Sequence, residues 1–366
     1  MAAVAGSAQA SAIMILDGGG GPSVSAAAAV LMEARTGALL FGKNADQRRE
    51  PASITKVMTA IVALERGNLA DTVTVSSRAA SVAGSSLGLR TGQQMKLEEL
   101  IRAMMLRSGN DGATAIAEHI GGSVEQFVAM MNARAKSMGL TGTRFANPHG
   151  LSATGHYTTA RDIAVMCARG LAMPKFADIV GSTELWSSKL RGDEVVGSSV
   201  VYNTNKLLWS YQGADGVKTG TTTAAGHCLA ASATRDGLQL IAVVLKSGAR
   251  FNDAARLLDY GFNSFVRLDI ADAGQEVAAV LVDSGVSPSV GMAPAGAVQA
   301  VVSSSAVGRL NTVIDCPGRP RAPVWAGQRL GWLRVFAGET EIAAYPLYAT
   351  ESVRSRWALW PRRAES

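Results

Sequence analysis

Residues 50–60 read EPASITKVMTA and place Ser53 three positions before Lys56. That spacing suits a nucleophile and its base. A serine hydroxyl at neutral pH is a poor nucleophile until a base within hydrogen-bond reach takes its proton. Positions i and i+3 of a helix share a face, so Lys56 can lie beside Ser53. A lysine serves as that base only when burial or a neighbouring cation drives its pKa down. At a helix N-terminus Ser53 would also have backbone N–H groups to offer a developing oxyanion. The same stretch has a purely structural use. Pro51 opens a helix, and Ile54, Val57, Met58, Ile61 and Val62 give it an apolar face. A Ser-x-x-Lys pattern arises about once by chance in a chain of this length at ordinary residue usage, so other residues must decide between the two uses.

Two further triplets bear on the choice. Ser108-Gly109-Asn110 ends an apolar helical run, and Lys218-Thr219-Gly220 follows GADGV at the start of a strand-rich region. Each alone is ordinary, the first as a helix-ending turn and the second as a strand entry. In this order and at these separations the three form the signature of acyl-serine enzymes that react with penicillin. The chemistry matches the residue types. Lys218 supplies the neighbouring cation that Lys56 requires. Ser108 can pass a proton between Lys56 and a leaving amine, and Asn110 can hold a peptide group. The hydroxyls of Thr219 and Thr221 suit a substrate carboxylate. Gly220 lets an acyl group approach the strand, whose edge can take an extended peptide by strand addition.

The elements that must position these residues can be read from periodicity. Residues 26–44 read as two strands around a turn at Thr36-Gly37. Helices follow from Ser53 to about Gly67, over 97–106, over 123–139 and around 159–172. After residue 215 the character shifts back to strands, with a hairpin at Asp236-Gly237, before a closing helix over 251–265. The class is α+β: a helical cluster beside an antiparallel sheet whose first and last strands are far apart in sequence. From about Val266 helices give way to short alternating strands, a small all-β domain. The expected division is a leading segment 1–25, a catalytic domain 26–265, the β domain 266–350 and a Trp/Arg tail 351–366.

Beyond the triplets, the chain resembles the low-molecular-mass penicillin-binding D-alanyl-D-alanine carboxypeptidases over about residues 26–350. The similar blocks include PASITKVMTAIVALE, RSGNDGATAIAEHIGGSVEQF, YTTARDIA, NTNKLLW, DGVKTGTTTAAGHCLAASA and LLDYGFNSF, with AGQRLGWLRVFAGETEIAAYPL in the β domain. The resemblance implies a penicillin-binding, β-lactamase-like fold and release of the terminal D-alanine from peptidoglycan stem pentapeptides. It makes Ser53 the acylated nucleophile, Lys56 its base and Ser108 their partner. It places Asn110, Lys218, Thr219 and Gly220 on the substrate. Thr221 supplies an oxyanion-hole N–H with Ser53, and Arg250 faces the terminal carboxylate. Asp162 matches an aspartate near the site, though a helix N-terminal charge explains it equally well. Thr204 stands where some members carry arginine.

Alternatives with the same acyl-enzyme are an endopeptidase, a transpeptidase or a silent penicillin- or wall-binding protein. A class A β-lactamase needs a glutamate four residues before an asparagine between the second and third motifs. Glu118, Glu125, Glu184 and Glu194 all lack it. Three scattered cysteines and four histidines without ligand spacing argue for no metal or other cofactor. His227 reads as a strand residue packed under the site, and the cysteines as incidental thiols. A net charge of +6 without basic runs gives no reason to expect nucleic acid and fits an anionic surface. The partners expected are the stem peptide and β-lactams. The start, MAAVAGSAQASAIMIL, lacks the usual basic residues and reads either as a partial export signal or as an N-terminal tail whose true start lies upstream. The family resemblance implies a place at the outer face of the cytoplasmic membrane, in periplasm or wall. Trp357 and Trp360 among Arg354, Arg356, Arg362 and Arg363 could touch that membrane's surface.

Overall fold

The computed structural model describes residues 21–191 and 194–359. They fall into two compact units, one ending at Asn263 and the other beginning at Ser264. In the first, β1 (Ala28–Glu33) and β2 (Leu39–Lys43) form a hairpin, followed by a 3-10 turn at Ala52–Thr55 and α1 (Lys56–Arg66). Next come β3 (Thr72–Thr74), α2 (Ser77–Ala80), β4 (Gln94–Lys96), α3 (Leu97–Arg107), α4 (Asn110–Gly121) and α5 (Val124–Ser137). Then α6 (Ala160–Leu171), α7 (Pro174–Gly181), β5 (Glu184–Arg191), β6 (Glu194–Tyr202) and α8 (Leu207–Ser210) lead to the closing strands. Those are β7 (Ala214–Thr222), β8 (Gly226–Arg235) and β9 (Leu238–Leu245), and α9 (Arg250–Ser264) ends the unit.

The main sheet has the order β2-β1-β9-β8-β7, all antiparallel. Its first strands therefore pair with its last, as expected, and β7 is left as an edge. Every residue of β1 is buried: five are apolar, and the sixth, Glu33, accepts from Arg35 N at 3.1 Å and Thr36 N at 2.7 Å. The first eight residues of α1 are buried too, so this helix runs through the core rather than over it. It packs with Ile101, Met104, Ile116, Phe127, Ile163 and Phe176 in one apolar cluster. Side-chain caps fix the starts of the outer helices: Gln126 N donates to Ser123 Oγ at 3.1 Å, and Asp162 N to Thr159 Oγ1 at 3.0 Å.

Three local expectations are corrected. Ser53 lies on a 3-10 turn, and the α-helix begins only at Lys56. Arg-Ser-Gly-Asn-Asp does end α3, but after Ser108 and Gly109 it starts α4, an element the pattern did not reveal. The residues that stop one helix are also the capping types that begin another. Strands also appear between the opening hairpin and residue 215: β5 and β6 pair as a long hairpin and join β3 and β4 in a second sheet.

In the second unit β10 (Phe265–Ala271) pairs with β13 (Val298–Ser303). The larger sheet runs β11 (Ala278–Leu281), β12 (Ser289–Pro294), β16 (Thr340–Ala349), β15 (Arg329–Ala337), β14 (Leu310–Asp315). Val298, Val324, Val335 and Leu347 are wholly buried in its core. Single bridges from Val353 to Val324 and from Ser355 to Gly285 continue the unit into the segment expected as a tail. Trp360, Arg362, Arg363 and the export-like start lie outside the described residues.

Candidate active site

The site begins with a bend. Ala52 has φ +48°, in the left-handed region that costs a non-glycine residue energy, and the next residue is Ser53. Several contacts hold this turn. Ile54 N donates to Pro51 O at 3.2 Å and Thr55 Oγ1 to Ala52 O at 2.9 Å. His156 then fixes Thr55 from the other side. Ala146 N donates to its Nδ1 at 2.9 Å, so Nε2 carries the proton that reaches Thr55 Oγ1 at 2.8 Å. Gly150, at φ +94°, lies so close that a Cβ there would sit 1.9 Å from Ala52 O. On the strand side a Cβ on Gly220 would be 3.0 Å from Pro51 O and 3.1 Å from Ser53 N. Gly220 therefore lets β7 press against the Ser53 turn, rather than merely leaving room for an acyl group.

Lys56 has no exposed surface. Its Nζ donates to Ser53 Oγ at 3.2 Å, to Asn110 Oδ1 at 2.7 Å and to His149 O at 2.7 Å. Burial and then the charge of Lys218 hold its pKa well below the usual lysine value, against a smaller opposing pull from Asp111. Lys218 is also buried, and burial with the nearby Arg250 charge lowers it to about 7. Among the described residues its Nζ has no hydrogen-bond partner. A buried, unpaired ammonium beside a serine–lysine pair is suited to an incoming anion.

Ser108 ends α3 in the left-handed conformation (φ 69°, ψ 29°) and is buried two residues before Asn110. Asn110 opens α4, and its Nδ2 donates to Ala83 O at 2.7 Å, so one amide ties Lys56 to the 83–89 loop. Asp111 anchors the rest of that loop, accepting from Ser86 Oγ at 2.5 Å and from Leu87 N and Leu89 N. The third triplet lies inside β7 instead of opening it. Thr219 Oγ1 and Thr204 Oγ1 are 2.7 Å apart. Arg250 Nη1 donates to Thr221 Oγ1 at 2.8 Å and to Gly220 O at 3.1 Å.

Four segments of one unit thus carry Ser53 with Lys56, Ser108 with Asn110, Lys218 to Thr221, and Arg250, an arrangement that could serve serine–lysine acyl transfer. Residues 18–249 match the family model described as D-alanyl-D-alanine carboxypeptidase. The chain belongs to that family. Residues 265–355 of this carboxypeptidase match the C-terminal domain of penicillin-binding protein 5. The D-alanyl-D-alanine carboxypeptidase DacF of Bacillus subtilis is 34% identical over 338 residues, covering 90% of this chain and 86% of the relative. DacC of Escherichia coli is 39% identical over 263 residues, 67% of this chain and 63% of its own. Among solved structures, penicillin-binding protein 5 of Haemophilus influenzae superimposes with TM-score 0.83 at 30% identity, covering 92% of this chain and all of the other. A point mutant of a Streptomyces DD-transpeptidase gives 0.64 at 32% identity over 66% of this chain and 99% of its own. The carboxypeptidase therefore has the penicillin-binding fold and is a peptidase.

Asp162 of the carboxypeptidase fits the second of its two readings, a helix N-terminal charge, while His227 sits differently from expectation. Asp162 is buried at the start of α6, accepting from Gly142 N at 2.9 Å and Thr143 Oγ1 at 2.6 Å; its hydrogen bonds go to that loop, not to the motif residues. His227 is exposed, across the strands from Thr221 and 3.4 Å from its hydroxyl, not packed beneath the site. Sequence reading missed His149, Thr55, His156 and Asp111. Nothing in their spacing marks them: His149 acts through its carbonyl, His156 meets Thr55 from 101 residues away, and Asp111 holds the 83–89 loop upstream.

Proposed function

We propose that Ser53 is the acylated nucleophile and Lys56 its base, in removal of the terminal D-alanine from peptidoglycan stem pentapeptides. Ser53 attacks the penultimate D-alanine carbonyl, and Lys56, held neutral by burial and by Lys218, accepts the hydroxyl proton. The N–H groups of Ser53 and Thr221 face the oxyanion. Ser108 carries the proton to the departing amine, Asn110 holds the substrate peptide, and Lys218, Thr219 and Arg250 receive the carboxylate. Water then hydrolyses the acyl-enzyme. Penicillin acylates the same serine and leaves slowly. The observation that carries this reading is the buried Lys56 ammonium position, 3.2 Å from Ser53 Oγ and electrostatically coupled to Lys218.

The test is D-alanine release from a muropeptide pentapeptide, with products sized by mass spectrometry. Free D-alanine and a tetrapeptide are expected. Cross-linked products would move the reading to transpeptidation, the activity named for the Streptomyces relative. No turnover by folded protein would leave a binding role.

The work site proposed is the outer side of the bacterial cytoplasmic membrane, in periplasm or wall, where such peptides occur. Among the described residues no helix is long and apolar enough to cross a membrane. Trp357 is 68% exposed beside exposed Arg354 and Arg356, which supports a peripheral lipid contact at this end of the chain. Loss of anionic-vesicle binding on deleting residues 351–366 is expected; unchanged binding would sink it.

A further inference from the structure

We propose that His227 is a positioning residue for the carboxylate end of the substrate: it orients the Thr221 hydroxyl and, with Arg250, walls a small anion-accepting cavity. The proposal rests on the serine acyl-transfer reading above. The cavity, about 320 Å³, is lined by His227, Gly248, Ala249, Arg250, Phe251 and Asn252. That volume is at the low end for small-molecule sites, enough for an amino-acid terminus. Its lining has a guanidinium and an imidazole and no carboxylate, so its preference is for an anion.

The β7–β8 register sets Thr221 directly opposite His227. The Thr221 hydroxyl has one proton, and it goes to Gly220 O at 2.8 Å. Arg250 Nη1 donates into the same oxygen at 2.8 Å. His227 Nδ1 is the third neighbour, 3.4 Å away. With the hydroxyl proton already committed, this contact is attractive only if Nδ1 carries a hydrogen and donates. Thr221 thus stands between Arg250 and His227 as an acceptor for both. Removing the imidazole donor frees the hydroxyl to rotate and takes a fixed acceptor from the guanidinium. Among the described residues the hydrogen bonds of Lys56 go to Ser53, Asn110 and His149 and none to this group of three, so the loss should fall on binding more than on proton transfer.

The experiment compares H227F with H227N in steady-state D-alanine release and in the second-order acylation constant for benzylpenicillin. Phenylalanine keeps a ring and removes the donor; asparagine returns an N–H near the Nδ1 position. H227F is expected to raise KM about fivefold, roughly the worth of one neutral hydrogen bond, with kcat changed less than about twofold. H227N is expected to bring KM back to within about twofold of wild type. Imidazole ¹⁵N shifts should show Nδ1 protonated. An unchanged KM in H227F, failure of H227N to restore it, or a bare Nδ1 would each overturn the assignment. If the wild-type protein releases no D-alanine, the reaction proposed above falls, and the acylation constants with the ¹⁵N shifts still decide the role of His227.

Discussion

Lys56 Nζ is 3.2 Å from Ser53 Oγ, and its other two hydrogen bonds, to Asn110 Oδ1 and His149 O, are both 2.7 Å. Three directions from one nitrogen are therefore assigned, and one of them is the serine. Neutral Lys56 retains two N–H bonds for the fixed oxygens and turns its lone pair to Ser53. The same three contacts serve an ammonium as three donors, so the side chain need not move when its proton is lost; burial and Lys218 favour that loss.

Ser53→Ala should abolish labelling by a fluorescent penicillin, and Lys56→Ala should slow acylation by about 10³-fold or more, as expected for losing a nucleophile's base. Stopped-flow labelling of folded variants measures both. Labelling retained in the alanine variant at 53 would assign the nucleophile elsewhere.

Lys218 gives a prediction with a sign. Its folded pKa is about 7, against an ordinary value of 10.5. Between those two values the unfolded chain holds a proton that the folded chain has lost, so this group's contribution to stability rises with pH across that window. Lys218→Met should therefore melt higher than wild type near pH 7, and the gap should shrink towards pH 10. The same variant removes a cation that depresses Lys56, so the rising limb of its acylation–pH profile should move to higher pH. A constant melting gap across the range would contradict the first expectation.

Much of this was legible in the residues alone, for physical reasons. The Ser53–Lys56 relation depends on a local i,i+3 spacing, and the β1–β9 closure on apolar runs at both ends of the unit. The parts not legible depend on long-range contacts. His156 acts on Thr55 from 101 residues away, and Lys56 finds His149 O from 93. A carbonyl acceptor leaves no trace in residue type. The start of α4 was hidden because Gly109 and Asn110 serve both the stop of α3 and the next start. Thr204 was noted only for lacking a charge, yet its hydroxyl is bonded to Thr219.

That bond makes Thr204→Val informative. It leaves Thr219 Oγ1 without its neighbour at 2.7 Å while preserving shape. Acylation by penicillin should slow by about fivefold, in line with one hydroxyl contact, with little change in melting temperature. A rate equal to wild type would show that Thr219 needs no such support.

His156 predicts acid sensitivity. Burial lowers its pKa to about 4 from 6.5. Between those values the unfolded chain takes up a proton that the folded chain refuses, so stability falls as pH drops from about 6.5 towards 4. The full shift corresponds to about 3 kcal/mol. Urea midpoints should decline over that interval in wild type and decline less in His156→Gln, whose amide has no proton to gain. Parallel declines would place the acid-sensitive group elsewhere, His149 being next in line with its pKa lowered to about 3.

Gly220→Ala separates folding from catalysis at the point where β7 meets the nucleophile. The new Cβ would lie 3.0 Å from Pro51 O, 3.1 Å from Ala52 Cβ and 3.1 Å from Ser53 N. Two of these atoms are backbone and the third is a Cβ, so no side chain can swing aside. The turn carrying Ser53 must shift by some tenths of an ångström. Overpacking of this size costs about 1–3 kcal/mol. A comparable displacement of a reacting group costs far more in rate, about 10²-fold for roughly 1 Å. The variant should therefore remain folded, melt a few degrees lower and lose most of its acylation rate. Because the unfolded fraction at 25 °C would stay small, reduced stability alone could not account for such a loss. Wild-type acylation in the folded variant would show that the turn accommodates the methyl group without disturbing the pair of Ser53 with Lys56.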